Sequence, residues 1–497
     1  MVSSAISLNE DTLAQMSERV RAPRYSRKRI TTGIVHFGVG GFHRAHQALY
    51  LDRYLEKEIL EKGESQWGIC GVGLLKYDQK MRDVLRSQDC LYTLVERSVE
   101  KDTARVIGSI AEYLFAPDEP QAVIDKLASD EVKIVTLTIT EGGYFVIEGT
   151  GEFDEQHPTI QHDLQHLDCP IGVYGFLAAA LKRRRENELP PFTVLSCDNV
   201  QGNGSIVRKM LLSFVRLVDE DLARWIEENG AFPNSMVDRI TPATTAADVE
   251  MVSEQFGVKD SWPVVAEPFL QWVVEDTFCL GRPQWEVVGV QMTSDVHPYE
   301  RMKIRLLNAS HLLIGYLGSL LDYIYTSEAM ADELIKLAAE RLMDEVSPTL
   351  EVLPGVDVSE YKQTLLTRFS NPKVRDQLAR LCLNSSDKLP KFLLGSLKDN
   401  LEKGDSIEYM SLTVAAWFRY LSGMSDAGKP LPIDDPMADV LIAKAQAAED
   451  PLNALLSIKE LFGHLSDSER FVKAVEDYFR QLNNFGTKGT LEKLLGS

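Results

Sequence analysis

The stretch Ile34-Val35-His36-Phe37-Gly38-Val39-Gly40-Gly41-Phe42-His43-Arg44-Ala45-His46 decides the fold of the amino-terminal part of the chain. Its first four residues predict a buried strand, and the glycines that follow predict a tight turn into a helix. Such a turn lets backbone N–H groups approach a pyrophosphate closely. His43 stands where the last glycine of a GxGxxG pattern would be, so a plain turn is the alternative. We predict a dinucleotide site formed by Gly38, Gly40, Gly41, Phe42 and Arg44, with Arg44 reaching a phosphate.

Short β-rich runs alternate with amphipathic helical patterns around this turn, from about residue 33 to about residue 290. The alternation is typical of an α/β domain with a largely parallel sheet. The predicted strands are 34–37, 67–74, 91–96, 133–139 and 192–196, and the predicted helices are 43–57, 79–87, 121–128, 171–186 and 205–228.

The pattern changes beyond Glu300, where long apolar helical stretches replace the alternating strands. At 497 residues the chain also exceeds the roughly 250–300 residues over which a single core grows. We therefore predict an α/β protein with a Rossmann-type cofactor-binding domain over residues 1–290 and a mainly α-helical substrate and catalytic domain over residues 291–497. The active site is expected in the cleft between the two domains.

Charge and composition narrow the range of partners. A formal net charge of −21 disfavours nucleic acid and anionic membranes. No run of about 18 apolar residues could span a membrane, and the first residues lack the apolar segment of a secretory signal. Six cysteines lie apart without a CxxC pair. We expect a cytoplasmic, monomeric enzyme with reduced cysteines that acts on a small molecule and has neither nucleic-acid nor membrane partners.

A second motif, Lys303-Ile304-Arg305-Leu306-Leu307-Asn308-Ala309-Ser310-His311, opens a helix that continues in apolar residues. In a regular α-helix, Lys303, His311 and Asn308 lie at about 0°, 80° and 140°, on one side. Burying a lysine is costly unless it is paired or functional, and low polarity lowers its pKa from about 10.4. Three polar groups on an apolar helix indicate a lysine general base rather than an ordinary core histidine.

Two polar residues follow strands of the predicted parallel sheet, at the edge where such sheets bind ligands. Glu141 comes after the strand 133–139 and precedes Gly142-Gly143-Tyr144. Asn199 comes after the strand 192–196. A loop cap is the alternative for each residue, but both are candidates for the site.

Zinc chemistry would need a dense set of ligands, which the sequence does not offer. His43 and His46 lie beside the glycine turn, and His162 and His166 lie in a polar loop near Cys169. We therefore predict an enzyme without a metal.

The choice of dinucleotide depends on the end of the second predicted strand. Asp78 follows the strand 67–74 closely, and an acid there holds the ribose hydroxyls and selects NAD. Lys76 would instead tolerate a 2′-phosphate, so NADP is the alternative to the NAD that we predict.

These motifs resemble the polyol-specific long-chain dehydrogenases, a family that includes mannitol, arabinitol and hexuronate enzymes, and the resemblance covers nearly the whole chain. Its most specific marks are the K-x-x-x-x-N-x-x-H spacing of Lys303, Asn308 and His311, the turn at 38–46, the segment 140–144 and the segment 235–242. The mannitol-oxidising members are the most similar. The resemblance implies metal-independent interconversion of D-mannitol and D-fructose with NAD.

The resemblance also implies roles for individual residues. Lys303 would be the general acid/base, Asn199 and Asn308 would polarise the carbonyl or hold the developing alkoxide, and His311 would orient the substrate. Asp238, Arg380 and Lys388 would contact substrate hydroxyls. Glu141 and Glu300 would relay protons between Lys303 and water.

Two alternatives remain open at this point. The first is another enzyme of the same family. Arg380 and Lys388 could hold the carboxylate of fructuronate or the phosphate of mannitol 1-phosphate, and arabinitol is a further alternative polyol. Asp238 favours a neutral polyol because a carboxylate repels an anionic substrate. The second alternative is a catalytically idle dinucleotide sensor, against which the intact set of Lys303, Asn308 and His311 argues.

Overall fold

The structure of the protein is a computed structural model, which describes residues 5–147, 149–353, 355–446 and 449–496. The chain forms two compact units, Met1–His297 and Pro298–Ser497. The sequence predicted the division after residue 290, which lies just before a strand, Gln291–Thr293, that pairs with Gln271–Glu275 of the first unit. This pairing accounts for the later position of the division in the structure.

The first unit contains all the strands found in the described part of the chain. They are β1 (Ile6–Ser7), β2 (Val20–Arg21), β3 (Ile34–Phe37), β4 (Ile69–Gly73), β5 (Tyr92–Arg97), β6 (Asp102–Ile107), β7 (Ile110–Phe115), β8 (Ile134–Leu137), β9 (Thr193–Ser196), β10 (Ser235–Asp238), β11 (Val258–Lys259), β12 (Val264–Ala266), β13 (Gln271–Glu275) and β14 (Gln291–Thr293).

Helices connect most of these strands. They are α1 (Gly41–Ala45), α2 (Gln47–Lys62), α3 (Gln79–Ser87), α4 (Pro120–Ala128), α5 (Pro158–Gln165), α6 (Val173–Glu186), α7 (Asn203–Val218), α8 (Glu220–Asn229) and α9 (Ala246–Phe256). Short 3-10 turns at Lys76–Asp78 and Glu141–Tyr144 follow β4 and β8.

A five-stranded parallel sheet in the order β7-β4-β3-β8-β9 organises the first unit. Ile34 faces one apolar core and Val35 faces another, because alternate residues of a strand point to opposite sides of the sheet. Both faces are therefore buried, as helix-covered parallel sheets require. The strand order reverses between β3 and β8, and ligands of doubly wound sheets bind beside such a switch point. The predicted Rossmann-type domain is confirmed.

Smaller sheets complete the first unit. β5, predicted from the sequence as one of the alternating strands, lies in a separate four-stranded sheet in the order β12-β5-β6-β2, where it pairs antiparallel with β6. β10, β13 and β14 form a three-stranded sheet, and β1 pairs with β11. The sequence analysis did not predict β6, β7 or the three-stranded sheet.

The regular elements in the described part of the second unit are all helices. It contains α10 (His297–Lys303), which begins at the last residue of the first unit, α11 (Ala309–Leu320), α12 (Thr326–Ala331), α13 (Glu333–Val346), α14 (Val358–Phe369), α15 (Leu378–Cys382), α16 (Ser385–Leu389), α17 (Gly395–Lys403), α18 (Glu408–Tyr420), α19 (Ala438–Gln446), α20 (Pro451–Leu456), α21 (Lys459–Phe462) and α22 (Glu469–Leu495). Two π-helical turns, Ile304–Asn308 and Pro390–Leu394, join α10 to α11 and α16 to α17. Every residue of α11 is buried, as its apolar sequence predicts.

A search of the described helices for a span long and apolar enough to cross a membrane finds none.

Candidate active site

The glycine turn lies at the carboxyl end of β3, beside β8. Gly38 has φ +90°, and a Cβ atom on it would stand 2.0 Å from the carbonyl oxygen of Thr138. Only glycine fits this close approach of two chains. A Cβ on Gly40 or Gly41 would meet no atom nearer than 3.8 Å, so the space over these two residues is open. This open cradle at a helix start fits a pyrophosphate, which the backbone N–H groups of the first turn would bind.

The helix after the turn is interrupted. α1 ends at Ala45, and His46 has φ −118° and ψ −92°, outside the helical range, before α2 begins. The Phe42 ring stacks on His46 with ring centroids 4.9 Å apart. The Phe42 ring therefore packs against the bend, and its backbone lies in the first turn of α1.

Arg44 does not occupy the position that the sequence predicted. Its side chain is buried, and its guanidinium donates to the carbonyl oxygens of Trp262 at 2.5 Å and Gly40 at 3.4 Å. It also stacks against the rings of Tyr92 and Trp262. The prediction that Arg44 reaches a phosphate is thus wrong for this structure, because the guanidinium satisfies backbone carbonyls beneath the turn.

Two histidine rings are stacked under the same turn. The ring centroids of His36 and His43 lie 3.4 Å apart, and both residues are buried. His36 bonds to the Thr136 and Thr138 hydroxyls at 2.8 and 3.0 Å, whereas neither ring nitrogen of His43 has a hydrogen-bond partner among the described residues. Burial lowers the pKa of His36 to about 3. Burial, and then the neighbouring His36, lower the pKa of His43 well below its ordinary value.

These depressed pKa values predict a loss of stability in acid. The unfolded chain binds a proton on each histidine below about pH 6.5 while the folded protein does not, so the free energy of unfolding falls by about 1.4 kcal/mol per pH unit and per histidine. For His36 the window extends down to its folded pKa of about 3. Urea unfolding of the wild-type protein and of His43→Phe at pH 7.5 and 5.5 checks this. Because the unfolded histidine titrates in the middle of this range, the variant should show an average slope smaller by about 0.7 kcal/mol per pH unit, which is about 1.4 kcal/mol between the two pH values. Equal slopes would contradict the prediction.

Asp78 shapes the loop at the end of β4. Its Oδ2 atom accepts hydrogen bonds from the backbone N–H groups of Leu74 and Leu75, both at 2.9 Å. Among the described residues no donor reaches Oδ1, so this oxygen remains available to a ribose hydroxyl. Lys76, the residue that favours NADP, is exposed two positions earlier.

The ends of β8 and β9 are joined by a buried carboxylate that the sequence analysis missed. Asp198 accepts hydrogen bonds from the Ile139 and Thr140 N–H groups at 2.9 and 3.0 Å and from the Tyr144 hydroxyl at 2.7 Å. Burial raises the pKa of the Asp198 carboxyl, and these hydrogen bonds partly oppose the shift. In the sequence, the signal for this contact was the acid directly before Asn199, together with Tyr144, which ends the segment that begins at Glu141.

Asp198 fixes the backbone next to two candidate residues. Glu141 follows Thr140 and is exposed, and Asn199 follows Asp198 and is exposed. Both therefore project from the carboxyl edge of the sheet, where ligands of doubly wound sheets bind. The sequence prediction placed them at this edge, and the structure brings their backbones together through one carboxylate.

Asp238 is the last residue of β10 and is 5% exposed. Next to it, Arg239 donates to the carbonyl oxygens of Ala45 at 2.5 Å and Glu267 at 2.6 Å. Arg239 therefore links the end of β10, where Asp238 lies, to Ala45 at the end of α1, the helix that follows the glycine turn. The sequence analysis did not single out Arg239.

In the second unit, the helix that carries Lys303 differs from the regular α-helix that the sequence predicted. The Ala309 N–H bonds to the Ile304 carbonyl, five residues earlier, which defines a π turn. The extra residue in that turn reduces the angle between Lys303 and Asn308 from about 140° to about 40°. By the same reasoning, His311 moves from about 80° to about −20°. The π turn therefore aligns the three residues in one stripe.

Two residues of the stripe are nearly inaccessible to solvent, and Asn308 is half-buried. Lys303 is 5% exposed, His311 is 9% exposed, and Glu300, one helical turn before Lys303, is 4% exposed. The buried Asn308 Oδ1 atom has no hydrogen-bond partner among the described residues. Buried polar groups in native proteins are nearly always satisfied, and an exception calls for an explanation such as a catalytic role. A ligand hydroxyl group that donates to this oxygen would supply one.

Arg380 and Lys388 lie on the neighbouring helices α15 and α16. The Arg380 guanidinium forms two 2.7 Å hydrogen bonds with Asp376, and its side chain is 55% exposed. The Lys388 ammonium donates to the carbonyl oxygens of Arg380 and Leu381 at 3.2 and 3.3 Å. The structure thus brings these two residues together, with much of the Arg380 charge already matched by Asp376.

Among the described residues, no group of three or more histidine, cysteine, aspartate or glutamate side chains is arranged to hold a metal ion.

Comparison with known proteins identifies the family. The Mannitol dehydrogenase Rossmann domain matches residues 32–287, and the Mannitol dehydrogenase C-terminal domain matches residues 295–483. The chain belongs to the mannitol dehydrogenase family. This confirms the resemblance found in the sequence, and the mannitol dehydrogenase fold accounts for both units.

Individual members of the mannitol dehydrogenase family match over nearly their whole length. Mannitol 2-dehydrogenase of Aspergillus fumigatus is 48% identical over 99% of this chain and 99% of its own. The solved Pseudomonas fluorescens mannitol 2-dehydrogenase, a ternary complex with NAD and D-mannitol, is 45% identical, covers 99% of this chain and 100% of its own, and has a TM-score of 0.86. A solved D-sorbitol dehydrogenase in substrate-free form is 34% identical over 98% of this chain and 100% of its own, with a TM-score of 0.91.

Proposed function

We propose that the chain catalyses the reversible NAD-dependent oxidation of D-mannitol to D-fructose. The observation that carries this proposal is the stripe of Lys303, Asn308 and His311, with Lys303 and His311 buried, aligned by a π turn in a chain of the mannitol dehydrogenase family. The Pseudomonas fluorescens relative, solved with NAD and D-mannitol, supports this choice of cofactor and polyol.

Lys303 is the proposed general acid/base. Oxidising a secondary alcohol requires a base for the hydroxyl proton, and NAD, when bound, takes up the hydride. The Lys303 amine would accept that proton during oxidation and return it during reduction. The Asn308 amide would hold the oxygen as negative charge develops, because donors aimed at a forming oxyanion stabilise the transition state. Asn199 is proposed to add a second amide donor.

The remaining residues are proposed to bind substrate or move protons. His311 would orient the polyol, since it follows Asn308 on the same stripe. Asp238, Arg380 and Lys388 would contact its hydroxyl groups. Glu300, buried one turn before Lys303, and the exposed Glu141 would carry the proton between Lys303 and water.

We propose that the cofactor binds at the glycine turn. The open space over Gly40 and Gly41 would take the pyrophosphate, and the close approach of Gly38 to Thr138 fixes the turn. Oδ1 of Asp78 would accept a hydrogen bond from the adenosine ribose and repel a 2′-phosphate. NAD is therefore the proposed cofactor.

Wild-type protein should show a higher kcat/KM with NAD than with NADP. In Asp78→Asn the ratio of kcat/KM for NAD to kcat/KM for NADP should fall about tenfold, because about 1.4 kcal/mol of charge repulsion toward the 2′-phosphate is removed. An asparagine oxygen can still accept the N–H groups of Leu74 and Leu75, so the Tm should be unchanged. Asp78→Ala, which loses both hydrogen bonds, is the structural control. A wild-type preference for NADP would remove Asp78 from the site and implicate Lys76.

The substrate is tested by competition between two ketoses. With NADH, kcat/KM for fructose should exceed that for fructuronate by about tenfold or more, because Asp238 accepts hydrogen bonds from hydroxyls and repels a carboxylate. For oxidation of polyols with NAD, absorbance of the reduced nicotinamide would be followed with mannitol, sorbitol, arabinitol and mannitol 1-phosphate. A higher kcat/KM with fructuronate or mannitol 1-phosphate would reject the neutral-polyol assignment, and inactivity with every substrate would favour a dinucleotide sensor.

We further propose that the enzyme works in the cytoplasm as a monomer. The low isoelectric point of about 5.0 and the largely buried free cysteines support an intracellular setting. Light scattering of the purified protein would test the oligomeric state, and imaging of the tagged full-length chain would test the location.

A further inference from the structure

A cationic cavity of about 660 Å³ lies in the first unit, formed by α2, β2, β6 and neighbouring loops. Its walls carry five cations, Arg21, Arg24, Arg53, Lys57 and Arg105, against two carboxylates, Glu56 and Glu96. This excess of positive charge occurs in a chain whose formal net charge is −21. A focused positive potential in an acidic protein attracts anions selectively.

The two carboxylates are already occupied by other cations. Glu56 accepts hydrogen bonds from Arg21 at 2.7 Å and from Arg105 at 3.0 Å. Glu96 accepts a 2.5 Å hydrogen bond from Arg239, through the same oxygen that faces Arg53. Neither carboxylate therefore has its full charge left for the remaining arginines.

Arg24 and Arg53 are the cations with unused donors. Arg24 lies 3.8 Å from Glu56 and Arg53 lies 3.8 Å from Glu96, which are ion-pair distances too long for a hydrogen bond. Within the described chain, neither guanidinium donates a hydrogen bond. Their side chains are 73% and 37% exposed, so an incoming anion can reach both.

The other part of the wall is apolar. Leu60, Ala104 and Val288 line it, and Leu60 is 70% exposed although it is a large aliphatic residue. The volume lies within the roughly 300–1,000 Å³ of pockets that hold small organic ligands, and guanidinium groups match phosphate geometry. We propose that this cavity binds a small organic phosphate, with its phosphate groups on Arg24 and Arg53 and its carbon skeleton on the apolar wall.

The proposal is tested by titration calorimetry on the protein saturated with NADH, so that the cofactor site is filled. The probes are fructose 1,6-bisphosphate, which is organic, and inorganic pyrophosphate. Fructose 1,6-bisphosphate should bind with a Kd below about 1 mM, and the double variant Arg24→Gln/Arg53→Gln should weaken it about tenfold or more. Arg224→Gln, an exposed arginine outside the cavity, should leave the Kd unchanged.

A variant of the apolar wall and the comparison of the two probes complete the test. Leu60→Ser should weaken the bisphosphate more than pyrophosphate, because only the sugar reaches the apolar wall. If the wild-type protein bound pyrophosphate as tightly as fructose 1,6-bisphosphate, or more tightly, the proposal that the ligand is an organic phosphate would be wrong. Absence of binding by either probe, or an unchanged Kd in the double variant, would overturn the site. The mutated side chains are exposed or half-buried, and an unchanged Tm would establish that each variant is folded.

Discussion

Lys303→Ala should lower turnover of mannitol about 100-fold or more at neutral pH, because general base catalysis contributes roughly 10² to 10⁴. The affinity for NADH should survive, since the proposed cofactor turn belongs to the other unit. Steady-state kinetics and NADH fluorescence titration would measure the two quantities separately. A variant with near-normal kcat would reject lysine as the base.

Controls separate chemistry from packing. Lys473→Ala removes an exposed lysine of the same unit, outside both π turns, and should leave kcat unchanged. Small primary amines added to Lys303→Ala should restore part of the turnover if a missing proton acceptor, and not a collapsed helix, causes the defect. Dialysis against EDTA should leave wild-type turnover intact. Activity abolished by EDTA and restored by zinc would mean that a metal, and not Lys303, activates the substrate.

Gly38→Ala should destabilise the protein by about 3 kcal/mol or more. A residue with a side chain at positive φ costs roughly 1–2 kcal/mol, and relieving the overlap with its neighbours adds about 1–3 kcal/mol. The added Cβ would overlap with the carbonyl oxygen of Thr138, which lies 2.0 Å away, so backbone on two strands must move. Urea unfolding would measure the loss.

Gly40→Ala is the matched variant for the same turn. Its Cβ meets no atom nearer than 3.8 Å, and its φ of −99° suits any residue. The stability should change by no more than about 1 kcal/mol, which is the cost of alanine at a helix N-cap. The affinity for NAD should fall about tenfold or more, because the methyl group occupies the space proposed for the pyrophosphate. Normal affinity in Gly40→Ala would place the pyrophosphate elsewhere.

Local patterns predicted the elements that depend on short stretches of sequence. α3 has the bounds 79–87 that its amphipathic pattern predicted, and β3 has the bounds 34–37. The predicted helix 205–228 is in fact two helices, because the Asp219 side chain caps a new helix start at the Leu222 N–H. The predicted helix 43–57 is bent at His46. Such interruptions are set by single side-chain contacts, which hydrophobic periodicity does not reveal.

The geometry of the candidate residues could not be predicted from the sequence. Lys303, Asn308 and His311 were singled out by type and spacing, but their alignment depends on a π turn that an α-helical projection excludes. Arg44 was assigned to a phosphate because it follows the glycines, yet its shortest hydrogen bond goes to the carbonyl of Trp262, 218 residues away in the sequence. Long-range backbone acceptors of this kind cannot be read from a local motif.

The two π turns, Ile304–Asn308 and Pro390–Leu394, pack against each other. Each places one residue more in a helix than regular backbone hydrogen bonding needs, and the second begins at a proline, which has no N–H to donate. A chain selected only for stability would gain by deleting such residues. Their presence beside the proposed base is consistent with a trade-off between stable folding and catalysis. Thermostabilising designs of this enzyme should therefore leave both helix irregularities intact and direct their substitutions to other parts of the fold.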